Sequence, residues 1–180
     1  ATGMVECWGD LASAAPTEAD YINIGVSDYA GACAVDSTGG ISCFGYEFEI
    51  DGGPPRGASF VSVAPGSSIV CGITVEGDAE CWGSYSGSGF TDAARVCVGE
   101  LGYVCVIHTD GGLDCGGGTG LTGLVDIDLS GDKLAYALLT GELLVYNLYT
   151  KAYVGSTYAD VSGDELSRIG YGLGLCTLDV

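Results

Sequence analysis

The stretch Val70-Cys71-Gly72-Ile73-Thr74-Val75-Glu76-Gly77-Asp78-Ala79-Glu80-Cys81-Trp82-Gly83 reads as two short strands joined by a glycine turn, with one cysteine on each strand. The same unit recurs along the chain. With Cys81 as anchor, equivalents fall at Cys7, Cys43, Cys115 and Val145, at intervals of 30 to 38 residues. Periods of about 20 to 50 residues signal solenoids, propellers or arrays.

A second anchor stands ten residues earlier, at Cys33, Cys71, Cys105 and Ala135. The fourth unit has apolar residues at both anchors, Ala135 and Val145, as joint loss of a bonded pair requires. The C-x2-C spacings typical of zinc sites are absent. The spacing therefore predicts disulfides Cys33 to Cys43, Cys71 to Cys81 and Cys105 to Cys115, each between opposed residues of an antiparallel hairpin. Gly3, Gly39, Gly77, Gly111 and Gly141 each precede the second anchor by four residues. Symmetry about each cysteine pair leaves a three-residue loop such as Val75-Glu76-Gly77, whose last position needs a left-handed backbone and favours glycine.

Upstream of each hairpin lies a further strand pattern: Tyr21 to Ile24, Phe60 to Val63, Arg95 to Val98, Leu124 to Leu129, and Leu166 to Ile169. Most alternate apolar with small or polar residues, the period of a strand with one buried face. Linkers such as Ser84 to Gly89 read as loops with room for a short outer strand, and no segment has a helical period.

The chain opens on the second half of a hairpin and closes on a first half, and the two together make a fifth hairpin. Across the joined termini Cys176 and Cys7 are 11 positions apart, close to the spacing of ten elsewhere. The expectation is a single all-β domain over residues 1–180, a five-bladed β-propeller closed by pairing of its N- and C-terminal strands. Its fifth blade would be split between residues 1–9 and about 159–180, with Cys7 bonded to Cys176.

Composition agrees with many short strands and tight turns: 47% hydrophobic residues, 32 glycines and only 16% charged residues. The 24 acidic against 5 basic side chains give a formal net charge of −19, which argues against contact with nucleic acid or anionic lipid. The acidity reads as surface solvation in a saline setting or as cation binding. Nine cysteines in regular spacing point to an oxidising compartment, whether secreted, periplasmic or cell-surface. No apolar run reaches the roughly 18 residues of a membrane-spanning helix.

A Val-Ser-Val-type strand, then Cys-Ala-Val or Cys-Gly-Ile, a glycine turn and Cys-Trp-Gly resembles the repeats of the regulator of chromosome condensation family, in the short cysteine-bearing form common in bacterial extracellular proteins. Residues 60–83 carry the resemblance best, and residues 21–45 nearly as well. It implies a β-propeller whose termini share a blade and which serves as a recognition scaffold. The chain departs from the family at Ile69, where a histidine usually precedes the first cysteine. Neither the exchange-factor activity of one branch nor the β-lactamase inhibition of another is carried over.

Chemistry-bearing residues are few. His108, beside Asp110, reads as a turn histidine with no nucleophile set next to it. Asp126, Asp128 and Ser130 have the opening of a calcium loop, but the twelfth position is Ala137 rather than a carboxylate, so calcium is a weak candidate and no other cofactor is expected. Cys97, left over from the pairs, reads as a buried free thiol or an intermolecular bridge. Trp8, Phe44, Trp82 and Tyr146 follow the second anchors and are expected to pack between blades, whereas Gly116 leaves the third without an aromatic. Tyr85 and Phe90 in one Tyr/Ser/Gly-rich linker, and Tyr149, Tyr153 and Tyr158 in another, are the candidate binding residues for a protein or glycan.

The functional expectation is a non-catalytic scaffold for macromolecular recognition. A filament or surface assembly built by strand exchange is the structural alternative. A carbohydrate-active enzyme is the third reading, though no repeat-breaking Asp or Glu pair stands out.

Overall fold

The computed structural model describes residues 3–17, 20–27, 31–45, 50, 52–84, 88–99, 102–117, 119–130, 134–139, 142–150, 152–157 and 175–178. Apart from one 3-10 turn, Gly9–Leu11, the regular elements among them are strands joined in antiparallel sheets. β1 (Val5–Trp8) pairs with β16 (Leu175–Leu178). β2 (Tyr21–Val26), β3 (Gly31–Asp36) and β4 (Ile41–Gly45) form the next sheet. β5 (Phe60–Pro65), β6 (Ile69–Thr74), β7 (Ala79–Gly83) and β8 (Ser88–Phe90) form another, with β8 as the outer strand for which the linker left room. β9 (Ala93–Val98), β10 (Val104–His108) and β11 (Leu113–Asp114) follow. The last consecutive set is β12 (Leu124–Ser130), β13 (Leu134–Leu139), β14 (Glu142–Asn147) and β15 (Ala152–Thr157).

Each cysteine pair expected within one hairpin is bonded: Cys33 to Cys43 and Cys71 to Cys81 directly opposed in register, and Cys105 to Cys115 one residue beyond the Val106–Asp114 pair. The loop hydrogen bonds explain the position. The N–H groups of Asp36, Thr74 and His108 donate to the carbonyls of Gly40, Asp78 and Gly112 at 2.9 Å in each case. Counting inward by alternation, the cysteines fall on the narrow, non-hydrogen-bonded pair, and their Cα atoms are 4.0 to 4.1 Å apart. Cys7 stands opposite Cys176 in the β1–β16 register, and Cys7 is disulfide-bonded.

The three-residue loop is present as the sequence predicts. Gly39, Gly77 and Gly111 have φ of 85°, 91° and 81°, and their N–H groups donate back to the carbonyls of Asp36, Thr74 and His108. The glycine carbonyl, by contrast, leaves its own hairpin. It accepts the N–H that opens the next sheet: Phe60 to Gly39 at 2.9 Å, Ala93 to Gly77 at 2.7 Å, Leu124 to Gly111 at 3.1 Å, and Tyr21 to Gly3 at 3.0 Å.

Packing follows this chain of links. β16 contacts β2, β5 lies on β2 and β3, β9 on β6, and β12 on β9 and β10. Between successive sheets the disulfide of one meets the aromatic of the next. Cys33 shares a cluster with Trp82 and Phe60, whose rings are tilted with centroids 5.6 Å apart. Cys105 shares one with Tyr146, and Cys7 and Phe44 both pack on the cluster of Val5, Tyr21 and Ala34. Trp8 departs from the expectation of interblade packing and is exposed. Where Gly116 supplies no aromatic, Phe90 of β8 packs against Cys71 and Cys81 instead.

The fourth hairpin corrects one sequence expectation. Ala135 and Val145 are not opposed: Ala135 pairs with Tyr146, and Tyr136 with Val145. The strands remain paired as far as Leu139 and Glu142, which leaves two residues between them where the other hairpins have three. Removing one loop residue shifts the register by one and moves the partner of every following residue. The inner strand expected at 166–169 lies outside the described residues, as does most of the C-terminal part of the split unit, 159–180, apart from β16.

Gly39 and Gly77 separate two costs of losing the loop glycine. A Cβ on Gly39 would stand 2.8 Å from Ser59 Cβ and 2.9 Å from Phe60 N, whereas a Cβ on Gly77 would meet nothing within 4 Å. Gly77→Ala should cost about 1 kcal/mol for the left-handed backbone, and Gly39→Ala about 2 to 3 kcal/mol because the next sheet must also move. Urea unfolding of the two variants measures the difference; equal losses would show that the clash is relieved without cost.

Candidate recognition surface

The hairpin loops, the loop glycines and the first residues of the inner strands share one end of the sheets. At that end each of the four inner strands among the described residues carries the same irregularity. Pairing skips Ile22 between Tyr21 and Asn23, Val61 between Phe60 and Ser62, Ala94 between Ala93 and Arg95, and Val125 between Leu124 and Asp126. These are β-bulges, which leave one residue unpaired and turn its side chain away from the regular alternation. The residue before each skipped one is buried, as with Tyr21, Phe60, Ala93 and Leu124. Ile22, Val61 and Val125 are instead 43%, 45% and 46% exposed. Repetition of the register thus places a row of apolar side chains at the loop end.

Exposed carboxylates occur at the same end. Asp20 and Asp92, which stand just ahead of β2 and β9, are exposed and take positive φ values of 104° and 55°. The carbonyls of Asp20, Ser59 and Asp92 accept the N–H groups of Ser37, Val75 and Thr109, so these approaches are tied to their own hairpins at 2.7 to 2.9 Å. The Ser37 hydroxyl donates to the Asp20 carboxylate. Asp36 accepts from the Thr38 hydroxyl at 2.6 Å, the Thr38 N–H at 2.7 Å and the Gly40 N–H at 3.0 Å. The Thr38 hydroxyl, first, and the N–H groups of Gly40, Thr38 and Gly39 outweigh desolvation and hold the Asp36 carboxyl below the usual carboxylate value.

The residues singled out from sequence are scattered over the fold. Tyr149, 77% exposed, lies in a turn in which the Asn147 side chain accepts the Thr150 N–H at 2.8 Å. Tyr153 belongs to β15 and stands opposite Tyr146, so the segment expected as a loop is an outer strand over Ala152–Thr157. Tyr85 and Tyr158 lie outside the described residues. Phe90 is half-buried in the layer beside Cys71 and Cys81, where it replaces the aromatic that Gly116 does not provide.

Asp126, Asp128 and Ser130 lie on the continuous strand β12, paired residue for residue with β13, rather than on a loop wrapped round a cation. Asp126 is buried and meets Arg95 Nε at 3.6 Å, and Asp128 Oδ1 accepts the Leu129 N–H at 2.9 Å. Among the described residues no group of three or more His, Cys, Asp or Glu side chains gathers in a metal-binding arrangement. The His108 Nδ1 is 2.8 Å from the Thr91 carbonyl oxygen, which fastens the loop before β9 to the hairpin. Cys97 is free and buried.

The bulged row was not foreseen. Its signal is the apolar doublet at the start of each inner strand, Tyr21-Ile22, Phe60-Val61 and Leu124-Val125, which interrupts strict alternation. Two adjacent apolar residues cannot both face the core of a regular strand; here the bulge lets the first go in and the second out.

No family model matches the chain, and no curated protein matches it in sequence. Solved structures match it in fold. It is similar to the CRINKLY WD40 ectodomain of the Arabidopsis thaliana receptor kinase ACR4, at 23% identity and a TM-score of 0.53 over 69% of this chain and 48% of that one. Prp20p of Saccharomyces cerevisiae matches at 14% identity and a TM-score of 0.55, over 82% of this chain and 54% of that one. A crystal structure of Kap60 bound to yeast RCC1 (Prp20) matches at 15% identity and a TM-score of 0.55, over 73% and 44% of the two chains. The chain therefore spans about half the length of the solved structures it matches. At these identities the likeness shows a β-propeller fold.

The Asp36 contacts generate a pH dependence of definite sign. A carboxyl held low in the folded state adds stability that is fully present above its unfolded value, near 3.8, and lost as pH falls through the lower folded value. Thr38→Val should lower the urea midpoint at pH 7, and the difference from the unsubstituted protein should shrink as the pH falls below 3.8. A constant difference across that range would remove the charge-assisted bond as its cause.

Proposed function

We propose that this chain is a non-catalytic β-propeller of five blades that binds another protein through its loop end, and that it works in a secreted, periplasmic or cell-surface setting. The observation that carries the reading is the row of exposed apolar side chains, Ile22, Val61 and Val125, held at one repeated bulge at the end that also carries Asp20 and Asp92. Exposed apolar clusters rimmed by polar groups mark interaction sites. A chain of net charge −19 favours a partner with basic groups round an apolar contact. Prp20p, similar in fold, is described with its binding to Gsp1p and histones. The engagement of the His108 ring with the Thr91 carbonyl also fits a binding role better than acid–base chemistry.

Three disulfides among the described residues support an oxidising compartment, and among those residues no helix is long and apolar enough to cross a membrane. The pairing of β1 with β16, with Cys7 opposite Cys176, supports a ring closed by its terminal strands. A cross-link between these cysteines would close nearly the whole chain.

Two experiments test the reading. In capture of proteins from the native medium or cell surface, Ile22→Asp combined with Val61→Asp and Val125→Asp should weaken binding at least about tenfold, while Tyr149→Ala should leave it near the starting value. Unchanged binding by the triple variant would sink the loop-end assignment. Replacing Cys7 and Cys176 by serine should cost about 4 to 5 kcal/mol against about 3 kcal/mol for the Cys71 and Cys81 pair. Equal losses, or polymers in sedimentation at low concentration, would argue against intramolecular closure.

A further inference from the structure

The sheet β9–β11, third of those that follow the β1–β16 pair, carries sulfur on the lines of all three strands. Cys97 of β9 stands directly opposite Cys105 of β10, and Cys105 is bonded to Cys115 just beyond β11. Residues opposed across an antiparallel pair project from the same face, and all three cysteines belong to the same packed layer against β12. The Cys97 Sγ lies 3.7 Å from the carbonyl oxygen of Cys105, within reach of that residue's backbone. In the two preceding sheets the position opposite the first cysteine holds Gly25 and Ala64. Among the described hairpins, a thiol beside the disulfide is therefore peculiar to this one.

We infer that Cys97 is the resolving thiol of the Cys105–Cys115 disulfide, and that this sheet exchanges between Cys105–Cys115 and Cys97–Cys105 bonding without any external oxidant. In this step the Cys97 thiol loses its proton and its sulfur attacks Sγ of Cys105. The Cys105–Cys115 bond breaks, and Cys115 leaves as a thiolate that takes up a proton. One disulfide and one thiol are present before and after, so electrons balance. β9 and β11 flank β10 on opposite sides, so Cys97 and Cys115 approach Cys105 from opposite neighbouring strands.

The product bond fits the backbone. Gly99 N–H donates to the Tyr103 carbonyl at 2.8 Å, so alternation makes Cys97 and Cys105 a wide, hydrogen-bonded pair. Such pairs have Cα atoms about 5.5 Å apart, inside the range a disulfide spans. Exchange would tie β9 to β10, which are paired along most of their length, and would release Cys115 from a β11 of only two residues. The released thiol lies at a half-buried position before the turn at Gly116 and Gly117.

The same packing holds the exchange back. Burial first, then the carboxylates of Asp128 and Asp126 across the layer, push the Cys97 thiol well up, and the sulfur stays protonated while β12 covers it. Loosening of β12 from β9 would admit water and release the nucleophile. The bonding state of the third sheet thereby reports how tightly the fourth is docked.

Alkylation mapping tests this on the oxidised full chain. The protein is held in urea just below its unfolding transition without added thiol, trapped with N-ethylmaleimide, and digested with pepsin in acid, where disulfides do not exchange. The expected result is an adduct on Cys115 together with peptides linked through Cys97 and Cys105, the adduct at least about tenfold more abundant than in Cys97→Ala. Cys115→Ser supplies the complementary test, since its oxidative refolding should yield the Cys97–Cys105 bond. An adduct on Cys97 with Cys105–Cys115 intact, a Cys115 adduct that persists in Cys97→Ala, or no adduct on any cysteine would overturn the inference.

Discussion

The structure depends on a hydrogen bond between sheets rather than within one. A loop glycine closes its own hairpin with its N–H and turns its carbonyl outward to receive the first N–H of the next inner strand. Gly39, Gly77 and Gly111 do both, and the Gly3 carbonyl makes the same outward bond. The left-handed backbone that permits the turn is also what aims the carbonyl, so a single residue type serves both links. The buried N–H at the head of each inner strand would otherwise lack a partner, at a cost of about 1 to 3 kcal/mol. Satisfying it fixes the distance from one sheet to the next and hence the geometry of the array.

Side chains then fill the layers so spaced. A disulfide is a rigid, apolar bulk on one face of a hairpin, and the aromatic after the second cysteine projects from the other face. Stacking identical units therefore brings the sulfur pair of one against the ring of the next, as with Cys33 and Trp82 or Cys105 and Tyr146. The exception supports the rule: Gly116 leaves the layer short of an aromatic, and Phe90 reaches in from the outer strand β8 to occupy it. The asymmetry between one sheet and the next is thus compensated locally, within the packing density that protein interiors require.

The loop end follows from the same geometry. An inner strand that begins with two apolar residues can bury the first only by bulging the second, and the repetition of that bulge turns a local irregularity into an apolar row. On a chain so rich in carboxylates, this end combines apolar contact with negative charge. The third sheet adds a different kind of irregularity, a thiol where its neighbours have glycine and alanine, shielded by the strand packed over it.

Much of this was legible in the order of residues. The spacing of ten between cysteines, the glycine four residues before the second, and the alternation of Phe60 to Val63 determined hairpins, pairings and the all-β repeat, because each follows from local periodicity and the steric demands of one turn. Other features depended on what the chain meets in space. Phe90 reads as a loop aromatic until a glycine in the next unit leaves it a place in a layer. Tyr153 reads the same way until it is seen paired in an outer strand. Ala135 and Val145 keep the cysteine spacing in sequence, yet one loop residue fewer sets Tyr136 against Val145. Asp126 and Asp128 spell the start of a cation loop, but the pairing of β12 with β13 draws them into a strand. Sequence by itself determined the repeating unit, since that is a matter of covalent spacing and backbone preference. Which side chains face out, which fill a neighbour's gap and which thiol lies beside which disulfide were decided only when the units stacked, because those depend on register and on contacts between residues far apart in the chain.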